Sequence, residues 1–105
     1  MTHRFNLDDR ILVLQSGSHT APQLREWAQA VPQGILVGLG DPGAIGTARR
    51  ELADCENVLF SHGSREEIPW RDGFFTVIID TEVGVETPET RRVLQPSGRI
   101  YSIQP

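Results

Sequence analysis

One cysteine, Cys55, is all that the 105 residues contain. A lone cysteine cannot form an internal disulfide, so a disulfide-stapled secreted scaffold is excluded and a reducing compartment is favoured. No run of Lys and Arg gathers into a basic tract, and the formal net charge is -4, which argues against nucleic acid as a partner. No segment is long and apolar enough to span a bilayer. The first ten residues, Met1 to Arg10, are polar and charged and lack the apolar stretch of a signal peptide. A cytoplasmic protein away from membranes is the expectation. There is no His-x-x-x-His or Cys-x-x-Cys spacing, so no metal site is expected. No Gly-x-Ser-x-Gly elbow is present, which excludes that route to hydrolase chemistry. No repeat, low-complexity tract or linker breaks the chain. Residues 1–105 are therefore read as a single domain, with hydrophobic content of 38% and charged content of 23%, as globular proteins have.

What is present is a series of short apolar runs. They are Ile11-Leu12-Val13-Leu14, Ile35-Leu36-Val37-Gly38-Leu39, Val58-Leu59-Phe60, Phe74-Phe75-Thr76-Val77-Ile78-Ile79 and Ile100-Tyr101-Ser102-Ile103. Runs without alternation fit strands buried on both faces of a parallel sheet. Helical spacing lies between them. Leu24, Trp27, Ala28 and Val31 share one face, with Thr20 as cap and Gln23 completing a capping box. Ile45, Ala48, Leu52 and Cys55 share another, with Asp41 as cap and Pro42 at the first helical position. Ser64-Arg65-Glu66-Glu67 has capping-box spacing and predicts a short helical turn. Thr87-Pro88 opens a last helix that runs to about Leu94, and Pro96-Ser97-Gly98 turns the chain into strand five.

The order β-α-β-α-β-turn-β-α-β predicts a parallel sheet with helices on both faces. Ligands in such sheets bind at the carboxyl ends of the strands, where the strand order reverses. That rule selects the loops after strands one, two and four.

Two stretches resemble a known family, the class I S-adenosylmethionine-dependent methyltransferases. Gly63 to Ile78, with Ile68-Pro69-Trp70, a turn and Phe75-Thr76, is similar to the family's Gly-Asp, Leu-Pro-aromatic, turn and Phe-Asp stretch. Arg92-Val93-Leu94-Gln95-Pro96-Ser97-Gly98-Arg99 is similar to its Arg-Val-Leu-Lys-Pro-Gly-Gly-Arg. The resemblance implies a Rossmann-like three-layer sandwich: a mostly parallel five-stranded sheet of order 3-2-1-4-5 with helices on both faces.

It also implies a cofactor, S-adenosylmethionine, and the positions that would hold it. The family's first motif, acid-x-Gly-x-Gly-x-Gly, aligns with Gln15-Ser16-Gly17-Ser18-His19-Thr20-Ala21. Gln15 stands in place of the acid, Gly17 keeps the first glycine, and His19 replaces the second. Asp41 is near the acid that holds the ribose hydroxyls, or serves as a helix cap. Ser64 replaces the Asp near the adenine amine, and Thr76 the Asp of the Phe-Asp pair. Each lost charge-assisted hydrogen bond costs about 1.5–3 kcal/mol. A Cβ and an imidazole at position 19 are expected to crowd the pocket, and S-adenosylmethionine binding to be weakened or lost.

His19 meets an anion at the start of the first helix or is an exposed loop residue; the same choice holds for His62 after strand three. Asp80, at the carboxyl end of strand four, is the candidate catalytic acid or base, or a cap for the next turn. Arg49, Arg50, Arg91 and Arg92 read as solvated helix charges. The family continues past strand five, whereas this sequence ends at Pro105, so strand five is expected to be an edge that a second copy or a partner protein covers.

The expectation is a methyltransferase-like domain with a degraded cofactor site, serving as a non-catalytic assembly or ligand-sensing module. The alternative is a methyltransferase with a variant site or a partner chain completing it. A nicotinamide-binding fragment is disfavoured by the absence of Gly-x-Gly-x-x-Gly after strand one.

Overall fold

The computed structural model describes residues 5–15, 19–80 and 86–102. Among the described residues, five strands and three helices follow in the order β1 (Arg10–Val13), α1 (Ala21–Gln29), β2 (Ile35–Gly40), α2 (Pro42–Glu51), β3 (Val58–His62), β4 (Phe75–Asp80), α3 (Pro88–Val93) and β5 (Leu94–Ser102). The sheet has the order β3-β2-β1-β4-β5, and every neighbouring pair is parallel. This is the order the family resemblance implies.

Alternate residues of the central strands feed two separate cores, because successive side chains leave a strand on opposite faces. Ile11, Val13, Leu36, Val77 and Ile79 pack with Leu24, Trp27 and Ala28 of α1, with Ala48 of α2 and with Leu52 just after it. Leu12, Leu14, Val37, Leu39 and Ile78 pack with Val93 of α3 and with Ile68 of the β3–β4 connection. Full burial of each Leu or Ile is worth about 1.5–3 kcal/mol, so β1, apolar on both faces, is the pin of the domain. No helix among the described residues is long and apolar enough to cross a membrane.

Helix α1 starts where Thr20 accepts a hydrogen bond from the Gln23 amide at 3.2 Å. The reciprocal half of the expected capping box is missing, and the Gln23 side-chain amide donates to Glu26 instead. Past the helix, Gly34 is required by a close approach: a Cβ there would lie 1.9 Å from the Asp9 carbonyl oxygen, which accepts the Ile35 amide at the start of β2. Helix α3 carries a complete capping box, Thr87 with Thr90.

Two local expectations are corrected. Ser64 to Glu67 does not form a helical turn. Ser64 and Glu67 exchange both backbone hydrogen bonds, at 3.2 and 3.0 Å, as a small antiparallel bridge. Pro96-Ser97-Gly98 does not precede strand five but lies within it. Between the pairs Phe75↔Leu94 and Val77↔Arg99, two steps along β4 are matched by five along β5. The surplus residues are absorbed as a bulge, the kind of place where proline and glycine are tolerated in an edge strand.

Candidate functional site

The carboxyl ends of the strands bring together most of the residues singled out from the sequence. Gln15 follows β1 one residue after Leu14, whose amide donates to Ile79 of β4 at 2.9 Å. Gln15 is exposed and has φ of 51°, a left-handed conformation uncommon for a residue with a Cβ. Gly17 lies outside the described residues. Asp41 is exposed at the junction of β2 and α2, and its carbonyl accepts the Ile45 amide at 3.2 Å. His62 is exposed at the end of β3.

Ser64 sits just beyond β3, held by Gly63, whose amide bonds Gly40 of β2. Its amide and carbonyl are committed to Glu67, and its hydroxyl oxygen accepts the Glu66 amide at 3.3 Å. The turn thus uses the backbone groups of Ser64 and one acceptor site of its hydroxyl.

His19 is not a solvent-exposed loop residue. It is 8% exposed and packs edge-on against Trp27, ring centroids 5.1 Å apart. Its Nε2 is buried without a hydrogen-bond partner. Burial, which disfavours the charged ring, holds its pKa below the ordinary imidazole value.

Asp80 is where the sequence placed it, at the tip of β4, and it is 4% exposed. Its two carboxylate oxygens accept from two nitrogens of Arg65, at 2.9 and 2.6 Å. Arg65 is itself buried, and its carbonyl accepts the Thr87 hydroxyl at 2.5 Å. One residue of the β3–β4 connection therefore ties the tip of β4 to the cap of α3. Arg65 carried no signal in the sequence: within Ser-Arg-Glu-Glu it reads as a polar surface residue. The one available hint lay elsewhere, in an acid placed directly after a strand buried on both faces, which requires a partner.

Thr76 lies away from this end. At the amino edge of the sheet its hydroxyl donates to Asp9 at 2.8 Å and accepts the Arg10 amide at 2.9 Å. Buried Asp9 also takes Arg99 at 3.0 Å and the Asn6 amide at 2.7 Å. The hydroxyl at position 76 is thus used within the fold, at the opposite end of β4 from Asp80.

Arg92 is not a solvated helix charge either. It donates to Glu89, to Asp72, and to the carbonyls of Ile68 and Trp70. Glu89 in turn accepts the Ile68 amide at 3.0 Å. Helix α3 and the β3–β4 connection are locked together by these bonds. Arg49, Arg50 and Arg91 are exposed, as expected.

No protein-family profile matches the sequence, and no curated protein matches it. Solved structures do match. A SAM-dependent methyltransferase from Aquifex aeolicus superposes with a TM-score of 0.70 at 19% identity, over 87% of this chain and 54% of that one. PKMT2 from Rickettsia typhi, solved in complex with AdoHcy, gives 0.67 at 18% identity, over 92% of this chain and 22% of that one. The [4+2]-cyclase SpnF gives 0.65 at 23% identity, over 85% of this chain and 36% of that one. The chain spans from about a fifth to about half of the length of these structures. Its sheet order, its two cores and these superpositions together show that it has the fold of the class I S-adenosylmethionine-dependent methyltransferases.

Proposed function

We propose that this is a single methyltransferase-like domain whose cofactor site is degraded, and that it works without methyl transfer, as a ligand-sensing or assembly module. The observation that supports this best is the Arg65–Asp80 pair. The one acid that the sequence offered for acid–base work is buried, with both oxygens bound by a guanidinium, so it is engaged in holding the strand end together. Ser64, at the adenine-amine position, commits its backbone amide and carbonyl to its own turn and offers a hydroxyl in place of a carboxylate. Gln15 holds no charge for the cofactor at the acid position. These residues do not fit S-adenosylmethionine in the family's manner, and no chemical step is assigned to it. The fold leaves this open, since one structure that shares it is described as a cyclase.

The alternative is a methyltransferase that uses a variant site, or one completed by a partner chain. Two observations favour keeping it. His19 packs edge-on against Trp27, an arrangement compatible with an open turn at the second-glycine position. Asp41 is exposed at the end of β2, where a ribose would be met. We further propose a cytoplasmic protein in which a second copy, or another protein, pairs along β5. That strand ends the sheet, and Arg99–Ser102 follow its bulge as a regular segment. A monomer in sedimentation at tens of micromolar would remove this pairing.

Calorimetry with S-adenosylmethionine and S-adenosylhomocysteine decides between the two readings. The module reading expects no saturable heat from either. Micromolar binding of either ligand, weakened by Asp41→Ala, overturns it in favour of the variant site.

A further inference from the structure

The buried imidazole of His19 has no role in either reading, and its surroundings are unusual for a titratable group. Its Nε2 makes no hydrogen bond, and its ring stands edge-on to Trp27, one of the apolar residues that α1 presents to the sheet. The residue directly precedes Thr20, the cap whose hydroxyl and carbonyl hold the amides of Gln23 and Leu24. A neutral ring tolerates this place. An imidazolium does not. It would sit in an apolar setting at the positive end of a helix, where a cation is disfavoured.

Among the described residues, the charged groups on the surrounding elements are engaged elsewhere or lie outside the apolar layer. The first turn of α1 holds no acid. Arg25 of α1 bonds Asp54, and Glu26 bonds Gln23. The residues of β1 nearest this end, Val13 and Leu14, are apolar. Asp80 at the tip of β4 is bound by Arg65, and Asp41 at the end of β2 is exposed.

We propose that His19 is a proton-operated latch on the first turn of α1: the neutral ring packs beneath Trp27 and keeps the turn closed, and the protonated ring leaves and frays it. The latch follows from packing alone and holds whether or not the domain binds a nucleoside ligand. Its direction is fixed by linkage. A group that burial keeps neutral stabilises the closed turn fully above the ordinary imidazole pKa of 6.5. That advantage is lost as the pH falls below 6.5 toward the lowered value of the folded state.

The test is a pH titration of the full chain, following the imidazole carbon-bound protons by NMR together with amide exchange. His19→Phe assigns its signal, and exposed His62 serves as an internal reference. The expected result is a His19 midpoint below 6.5, with protection lost over the same range at Gln23 and Leu24 and retained at Ile11–Val13. In a Trp70→Phe background, Trp27 is the sole tryptophan, and its emission should change in the same step. His19→Phe should abolish the step; His19→Gln, which cannot titrate either, gives the same readout should the Phe variant not fold. A midpoint at or above 6.5, unchanged exchange at the first turn, persistence of the step in the untitratable variants, or simultaneous loss of protection in the β1 core would each overturn the latch.

Discussion

Arg65 and Asp80, fifteen residues apart, meet as a two-pronged ion pair with side chains 8% and 5% exposed. A pair this deeply buried is costly to break from one side, because the survivor is left charged and unpaired. Arg65→Met should therefore lower unfolding free energy by about 3–5 kcal/mol. The double variant Arg65→Met, Asp80→Leu should recover most of that loss. Urea denaturation of the two singles and the double closes the cycle; additive losses would mean that the two residues are not coupled.

Arg92 and Glu89 form an ion pair that contributes to stability at the acid end. The Arg92 guanidinium first, and the Ile68 amide second, hold the Glu89 carboxyl down to about 2 from an ordinary 4.5. A depressed carboxylate contributes stability that is fully present above 4.5 and is lost as the pH falls through about 2. Glu89→Gln should flatten the stability profile between those values. Arg92→Lys should lower the denaturation midpoint at neutral pH, since an ammonium cannot span the acceptors the guanidinium fork reaches. An unchanged acid profile in Glu89→Gln would count against the assignment.

Gly34 and Gly46 should respond in opposite directions to the same substitution. Gly34→Ala drives a methyl group into the Asp9 backbone and should cost about 3 kcal/mol or more. Gly46→Ala, in the interior of α2 with nothing within 4 Å of the new Cβ, should gain about 1 kcal/mol of helix propensity. Thermal melts of both variants check the sign as well as the size. Equal effects would mean that the chain does not pass Asp9 as described.

Gln15 holds a left-handed backbone at the turn out of β1. Replacement by glycine removes the Cβ conflict, worth about 1–2 kcal/mol, against roughly 0.5–1 kcal/mol of extra chain entropy. A small net gain in melting temperature is expected from Gln15→Gly, and a clear loss would show that the side chain's own contacts outweigh the strain.

Much of the fold was legible in the sequence. Doubly buried strands must be continuous apolar runs, and amphipathic helices must repeat every three to four residues, so element type and order follow from local pattern. The caps at Thr20 and Thr87 were legible for the same reason, being fixed by residues within four positions of one another. The Ser64 turn and the bulge at Pro96–Gly98 were misread, because helical and bridged turns share the same polar residues and only the pairing with β4 reveals a bulge.

The sequence by itself determined the alternating elements and, through the likeness of two stretches to a methyltransferase pattern, the order of the sheet. Only the tertiary structure decided what the charged and polar residues do: Arg65 turned inward to Asp80, Arg92 became a clamp, Thr76 was absorbed at the far edge, and His19 went under Trp27. The physical reason is range. Hydrophobic periodicity is written within one turn or one strand, whereas the partner of a buried polar group is whichever one the completed fold brings near: for Asp80 it is 15 residues away, and for Asp9 the partners Thr76 and Arg99 are 67 and 90 residues away.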